Sequence, residues 1–332
     1  MKPVLFVALL FLMACSSQPQ YELNDETLAS LGRKFEKGYS QSAAEFRGMI
    51  EQDSINVEAL IGLAESNIIN FIFGFTSREE TIPEAKMALQ RAWQIDSLSS
   101  RVNATAAKLS FLDWEWEQAK IGFEKAIQLD PKNLDARHWY SLWFISMKQF
   151  DKAMLHSDTL MTMDPEKNYL IGRGSLVYFQ HQFKELKDLM LEATGKNPQD
   201  PWGHDWLGMA YNGLADHENA LSTYFKAFEL SDGTVEVGGG LGHALGEAGE
   251  VELAKKMTAY YEKASQDNYL PPVQRAFIHI GIKEYDKALE LLEQAYNEKS
   301  WFIIFMQIEP WLDPLRNDER FTAIMERMQF PD

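Results

Sequence analysis

Small and apolar residues recur along the chain with a nearly constant period. Anchor positions lie at residues 85, 119, 153, 186, 220, 254 and 288, spaced 34, 34, 33, 34, 34 and 34 residues apart. Around one anchor, "EQAKIGFEKAIQLDP" places Ala119, Phe123 and Ala126 four and three residues apart. This spacing puts the three side chains on one face of an amphipathic helix. The constant period predicts a chain built of stacked helical repeats.

The repeat resembles the tetratricopeptide repeat (TPR), whose pattern is W-x₂-L-G-x₂-Y, then A-x₃-F-x₂-A, then P. "WLGMAYNGL" supplies Leu207, Gly208 and Tyr211 to the first part, and "FEKAIQLDP" ends on Pro131. The resemblance implies two antiparallel helices per repeat, A and B, with small residues at their crossings. It implies an all-α, right-handed superhelical solenoid of about seven to eight helix pairs over residues 25–300.

The segment after the last repeat, residues 301–332, contains "WLDPLRNDERFTAIMERM". It resembles the end of TPR regions in bacterial cyclase and winged-helix signalling proteins, and we carry over only the architecture. Asp313, Pro314 and Leu315 are interpreted as a turn, and Phe321 as part of an amphipathic helix. Because solenoid ends need capping, we expect residues 301–332 to seal the last apolar face.

The N-terminus is typical of an export signal. "MKPVLFVALLFLMA" (residues 1–14) has a basic residue, an apolar run of ten residues and a small residue at its end. A membrane span needs about 20 apolar residues, so the run fits a signal peptide instead. Leu12, Ala14 and Cys15 resemble the bacterial lipobox, which implies that Cys15 is lipidated, with palmitate among its acyl chains. Cys15 is the only cysteine of the chain.

Residues 15–24 are mostly polar, contain a proline, and are predicted to be a lipidated flexible tether. Ser16, following the lipidation site, resembles lipoproteins of the outer membrane, if the source is a diderm bacterium. The sequence therefore predicts a protein of the bacterial cell envelope, anchored to a membrane by lipid.

Composition argues against nucleic acid and against catalysis. The net charge of −17 repels phosphate backbones. The seven histidines are scattered, H-E-x-x-H does not occur, and one cysteine cannot form a thiol metal cluster. We therefore predict no enzymatic activity, no cofactor and no metal site.

The stretch "VEVGGGLGHALGEAGE" (residues 235–250) raises the possibility of a phosphate-binding loop. In the repeat frame, however, Leu241 and Gly242 take the L-G positions of a helix A, and no strand precedes them. Gly238, Gly239 and Gly240 therefore lie in a predicted helix, where each glycine costs roughly 1 kcal/mol against alanine. This favours a weak helix that acts as a soft joint, with close helix packing as the alternative.

TPR arrays usually bind ligands on the concave face, which helix A lines. The repeat frame assigns these candidate binding residues to or beside that face: His138, Trp139, Tyr169, Arg173, Phe179, Trp202, Asp205, Trp206, Met209 and Asn212. The basic clamp of chaperone-binding TPRs does not occur at these positions. Two functions remain open: a non-enzymatic scaffold for a protein or peptide partner, and a lipoprotein that binds a small molecule or glycan in an aromatic groove.

Overall fold

A computed structural model describes residues 33–164, 170–266 and 268–331, and this part of the chain is helical throughout. A first helix, α1, spans Arg33–Gln52. Seven antiparallel pairs follow: α2 Val57–Ile72 and α3 Arg78–Ile95, α4 Ser100–Leu112 and α5 Trp116–Leu129, α6 Leu134–Ser146 and α7 Phe150–Met163, α8 Leu170–Tyr178 and α9 Phe183–Lys196, α10 Pro201–Gly213 and α11 His217–Leu230, α12 Val235–Glu247 and α13 Val251–Ala264, α14 Pro272–Gly281 and α15 Tyr285–Asn297.

After α15, two short 3₁₀ helices span Trp301–Phe305 (η1) and Pro310–Leu315 (η2), and α16 spans Glu319–Arg327. None of the helices in the described residues is both long and apolar enough to cross a membrane. The prediction of an all-α solenoid of helix pairs is confirmed.

Short polar turns separate the pairs, and polar side chains in these turns cap the helix A that follows. The side chain of Asn133 caps α6 by accepting a hydrogen bond from the backbone N–H of Ala136. Asp200 caps α10 in the same manner, and Pro201 occupies the first helical position, where a missing N–H costs nothing. These caps satisfy N–H groups that have no partner inside the helix.

The predicted anchors lie at the helix crossings. All seven anchor side chains are fully buried: Ala85, Ala119, Ala153, Leu186, Ala220, Ala254 and Ala288. Small residues elsewhere in the frame allow close approach, since a Cβ on Gly208 would lie 2.8 Å from the ring of Tyr224. The 34-residue period is therefore the distance between equivalent packing positions of successive repeats.

The first helix pair reaches across to much later repeats. The turn between α2 and α3 brings the ring of Phe73 within 5.1 Å of the ring of Trp202 on α10. At Gly74, which has a positive φ of 67°, a Cβ would lie 2.5 Å from Pro271, just before α14. The turn between α2 and α3 therefore closes one side of the coil, over a distance of four to six repeats.

The C-terminal segment divides into two parts. Helix α16 lies beside α15, where Arg320 pairs with Asp286 at 2.8 Å and Phe321 and Ile324 are buried. The first 3₁₀ helix contacts α15 and also the A helices α2 and α6, and the second contacts the A helix α14. They return to the helix A side of the earlier repeats.

Candidate binding groove

The helix A surface of the solenoid forms a groove, and residues 301–315 fill it. The indole of Trp301 packs against Phe111 of α4, with ring centroids 6.0 Å apart, and against Trp139 of α6 at 5.4 Å. Phe305 stacks on Phe179, just after α8, at 5.0 Å. Because one short segment touches three successive A helices, it must run along the inner face of the coil.

The second 3₁₀ helix continues along the same face. The indole of Trp311 stacks on His243 of α12, with centroids 4.4 Å apart, and meets Phe277 of α14 edge-on at 5.0 Å. Ile303, Ile304 and most other apolar side chains of this segment are buried, while Trp301 and Phe302 are half-buried. The helix A surface therefore forms a hydrophobic core with the chain's own C-terminal segment.

Glu309, between the two 3₁₀ helices, is the polar centre of this segment. Its side chain is buried and accepts hydrogen bonds from the hydroxyl of Tyr178 at 2.5 Å and the backbone N–H of Trp311 at 3.1 Å. Burial raises the pKa of Glu309 to about 7, although both hydrogen bonds act in the opposite direction. The guanidinium of Arg316 donates to the backbone carbonyl of Glu309 at 3.0 Å.

Two further carboxyl groups give the groove an acidic interior. Asp205 is buried, its Oδ1 has no hydrogen-bond partner in the described part of the chain, and burial raises its pKa to about 7. Burial also raises the pKa of Glu236, and the charge of Asp205 raises it further. The hydroxyl of Tyr224, equally buried, has no partner among the described residues.

His243 is neutral at physiological pH. Burial lowers its pKa to about 4, and its Nδ1 lies 3.1 Å from the carbonyl oxygen of Phe277. Since a carbonyl only accepts, Nδ1 carries the proton and donates it. The groove therefore presents carboxyl groups, tyrosine hydroxyls and a neutral imidazole within an aromatic lining.

Comparison with known proteins assigns the fold. No protein-family model matches the chain. The structure is similar to a tetratricopeptide repeat protein from Parabacteroides merdae, with 13% identity, a TM-score of 0.51 and coverage of 82% of this chain and 98% of that one. It is also similar to a chain of the APC/C hetero-tetramer Cut9-Hcn1, with 13% identity, a TM-score of 0.59 and coverage of 88% of this chain but only 52% of that one.

The chain has the tetratricopeptide-repeat fold. A third TPR-like neighbour, the human IFIT1 dimer with m7Gppp-AAAA, has 14% identity and a TM-score of 0.59, covering 79% of this chain and 68% of that one. At these identities the likeness concerns the fold alone.

In the TPR frame, the predicted binding residues separate into three groups. Trp139, Phe179 and Asp205 lie in the groove and are buried there. The others on α10 remain half-exposed along one side of that helix: Trp202, Trp206, Met209 and Asn212. Tyr169 and the lipidation site Cys15 lie outside the described residues.

His138 and Arg173 lie apart from the half-exposed residues of α10. The imidazole of His138 lies against α8, where a Cβ on Gly172 would approach it to 3.6 Å. The guanidinium of Arg173 pairs with Asp158 on the B helix α7 at 2.5 Å. The structure therefore does not bring these two residues together with the aromatic residues of α10.

The glycine stretch is a close-packed helix and has no contact with an open groove. Gly238, Gly239 and Gly240 are buried in α12. A Cβ on Gly246 would lie 2.3 Å from the backbone of Gly281 on α14, and one on Gly239 would lie 3.0 Å from the carbonyl of Gln274. The interpretation as a soft joint is wrong for this reason: the glycines let two A helices approach backbone to backbone.

Sequence reasoning missed Tyr178, Glu309 and Trp311, which connect the groove to the C-terminal segment. In the sequence, Tyr178 falls in a helix A beside Phe179, and Glu309 follows an apolar run. Neither position carries a periodic signal that relates it to the other, because their contact joins residues 131 positions apart.

Within the described ranges, no three His, Cys, Asp or Glu side chains form a group that could hold a metal ion.

Proposed function

We propose that this chain is a non-enzymatic TPR scaffold that is anchored by lipid on Cys15 and holds a protein or peptide partner in the bacterial cell envelope. The observation that carries the proposal is the helix A groove itself, which accommodates residues 301–315 of the chain as an aromatic, non-regular peptide. A surface that packs against one peptide segment has the shape and lining to bind such segments.

The partner would use the part of the helix A surface that residues 301–315 leave uncovered. Trp202, Trp206 and Met209 are four and three residues apart on α10, so they share one helix face. Large aromatic side chains dominate the binding energy of protein interfaces. Asn212 continues this side of α10 and is half-buried.

A protein partner fits the electrostatics better than nucleic acid. The whole chain has a net charge of −17. A phosphate backbone would meet a field of the same sign. A glycan could not stack on Trp139 or Phe179, because both are already packed against the chain's own rings, so the glycan alternative depends on Trp202 and Trp206.

The anchor is tested by metabolic labelling with palmitate in cells that express the wild type or Cys15→Ser. We expect label in the wild type only, with the variant released from the membrane fraction. Equal labelling of both proteins, or a wild type found wholly in the soluble fraction, would contradict lipid anchoring.

The partner surface is tested with a photo-crosslinking amino acid introduced at Met209 and, as a control, at the exposed Ser222 of α11. We expect a discrete product at Met209 that Trp206→Ala removes and Arg173→Ala preserves, because Arg173 pairs with Asp158 outside this face. A product that forms equally from Ser222, or that survives Trp206→Ala, would place the partner elsewhere.

A further inference from the structure

The outer surface of the first repeats carries a row of exposed apolar side chains. Met87, Ile121 and Leu155 are each 34 residues apart, on the B helices α3, α5 and α7, and are 60%, 49% and 67% exposed. Each follows a buried anchor alanine by two residues. Two residues turn a helix by about 200°, so these side chains point away from the core. The row therefore runs across three successive repeats on the outer face.

The same repeat position is polar in every later pair. The equivalent residues are all exposed: Asp188, Ser222, Lys256 and Glu290. A second apolar position follows eight residues on, at Ile95 and Met163, which are 45% and 38% exposed. At the position two residues after the anchor, the outer face is thus apolar on α3, α5 and α7 and polar on the B helices from α9 onward. We call the five residues Met87, Ile95, Ile121, Leu155 and Met163 the outer apolar row.

Charge follows the same division. Residues 78–163 contain 11 basic and 12 acidic side chains, whereas residues 170–331 contain 15 basic and 25 acidic. The part that carries the outer apolar row is therefore nearly neutral, and the acidic excess lies mainly in the later repeats. A nearly neutral apolar surface is compatible with the headgroup region of a lipid bilayer, while a strongly acidic surface is repelled by anionic lipids.

We propose that the outer apolar row rests on a lipid bilayer and fixes the orientation of the solenoid on the membrane. This proposal rests on the lipid anchor of the proposed function. Arg33, where α1 begins, is 18 residues from Cys15, a span of at most about 65 Å when extended. Helix α1 packs on α2, and Arg47 of α1 also donates a 2.8 Å hydrogen bond to Glu84 of α3. Along the chain, Cys15 therefore lies nearest to the repeats that carry the outer apolar row.

The exposed area of the outer apolar row favours a membrane over a second copy of the chain as the surface that covers it. From their exposed fractions, the five side chains present roughly 500 Å² together, less than the about 800 Å² per partner of a stable protein interface. A lipid-anchored protein needs no such area. One lipid anchor already holds the chain near the bilayer, and a weak second contact adds to it.

Hydroxyl-radical footprinting of the processed chain (residues 15–332) tests the proposal. The Cys15 thiol is coupled to a maleimide lipid in phosphatidylcholine vesicles, so tethering does not depend on lipidation in the cell. We expect the oxidation of Met87, Ile121 and Leu155 to fall severalfold on tethering. The exposed controls Leu191 and Leu214 should be oxidised at unchanged rates.

The variant Ile121→Glu with Leu155→Glu should restore the oxidation of Met87, while Leu191→Glu with Leu214→Glu should not. Unchanged oxidation of the row on tethering would overturn the proposal. Protection of untethered protein that increases with its concentration would also overturn it, in favour of self-association. Failure of the proposed anchor is seen separately, as missing palmitate label on the wild type.

Discussion

The hydroxyl of Tyr178 donates a hydrogen bond to the carboxyl group of Glu309, and both side chains are buried. Tyr178 ends the helix A of a central repeat, whereas Glu309 lies between the two 3₁₀ helices of the C-terminal segment. The bond joins the groove to the segment that fills it. Removing the donor leaves a buried carboxyl group with one partner fewer, which is more costly than losing an exposed contact.

We expect Tyr178→Phe to lower the free energy of unfolding by about 1–3 kcal/mol, because Glu309 loses a hydrogen bond without access to water. Urea denaturation monitored by far-UV circular dichroism measures the change. The control is Tyr285→Phe, since the hydroxyl of Tyr285 has no hydrogen-bond partner in the described part of the chain. An equal effect of the two substitutions would contradict the role given to this bond.

The raised pKa of Asp205 predicts an unusual dependence of the free energy of unfolding on pH. Burial raises its pKa to about 7, whereas an unfolded aspartate ionises near pH 4. Between these values the folded chain retains a proton that the unfolded chain releases, so the contribution of Asp205 to stability falls as the pH rises. We expect the free energy of unfolding of Asp205→Asn to exceed that of the wild type by up to about 4 kcal/mol at pH 8 and to show no such gain near pH 4.

Urea denaturation at pH 4, 6 and 8 measures this difference, with the exposed Asp188→Asn as control. Comparison of variant with wild type is needed because His243 acts in the opposite direction. Its pKa is lowered to about 4, so its contribution is lost as the pH falls from about 6.5. A gain for Asp205→Asn that is the same at all three pH values would show that Asp205 does not titrate as described.

Glycine-to-alanine substitutions should have opposite effects on stability in α12 and in α1. We expect Gly246→Ala to destabilise the fold by about 1–3 kcal/mol, because its Cβ would meet the backbone of Gly281. Gly239→Ala should destabilise it less, since part of its contact is with the side chain of Gln274. A Cβ at Gly48 of α1 would meet nothing within 4 Å, so Gly48→Ala should stabilise the fold by up to about 1 kcal/mol.

Thermal unfolding of the three variants checks these signs. A higher melting temperature for Gly246→Ala would show that α12 and α14 are not packed backbone to backbone. A lower one for Gly48→Ala would show that α1 is not helical at that position.

The repeat architecture could be predicted from the sequence because each repeat has a small or apolar residue at the same packing position, with the same spacing. Ala119 is recognised as a buried anchor by comparison with Ala153, without knowledge of the fold. The distinction between the outer apolar row and its polar equivalents could have been found in the same frame, for example at Ile121 and Lys256.

The filling of the groove could not be predicted in this way. Trp301 meets Phe111 and Trp139, which precede it by more than 160 residues, and no period relates the three. The interpretation of the glycine stretch as a soft joint is wrong for a related reason. Propensity describes the cost of Gly246 within its own helix, whereas its function depends on Gly281 in the next helix A.

The central claim is that residues 301–315 close the helix A groove in solution, and the reactivity of a single thiol tests it most directly. In a Cys15→Ser background, Phe179→Cys places the thiol under Phe305, and Leu214→Cys places one at a position that is 41% exposed. Both are treated with a thiol reagent under native conditions. The account predicts that the thiol at position 179 reacts orders of magnitude more slowly than the thiol at position 214, and that the two react alike in denaturant. Equal rates under native conditions would contradict it, because the groove would then be open.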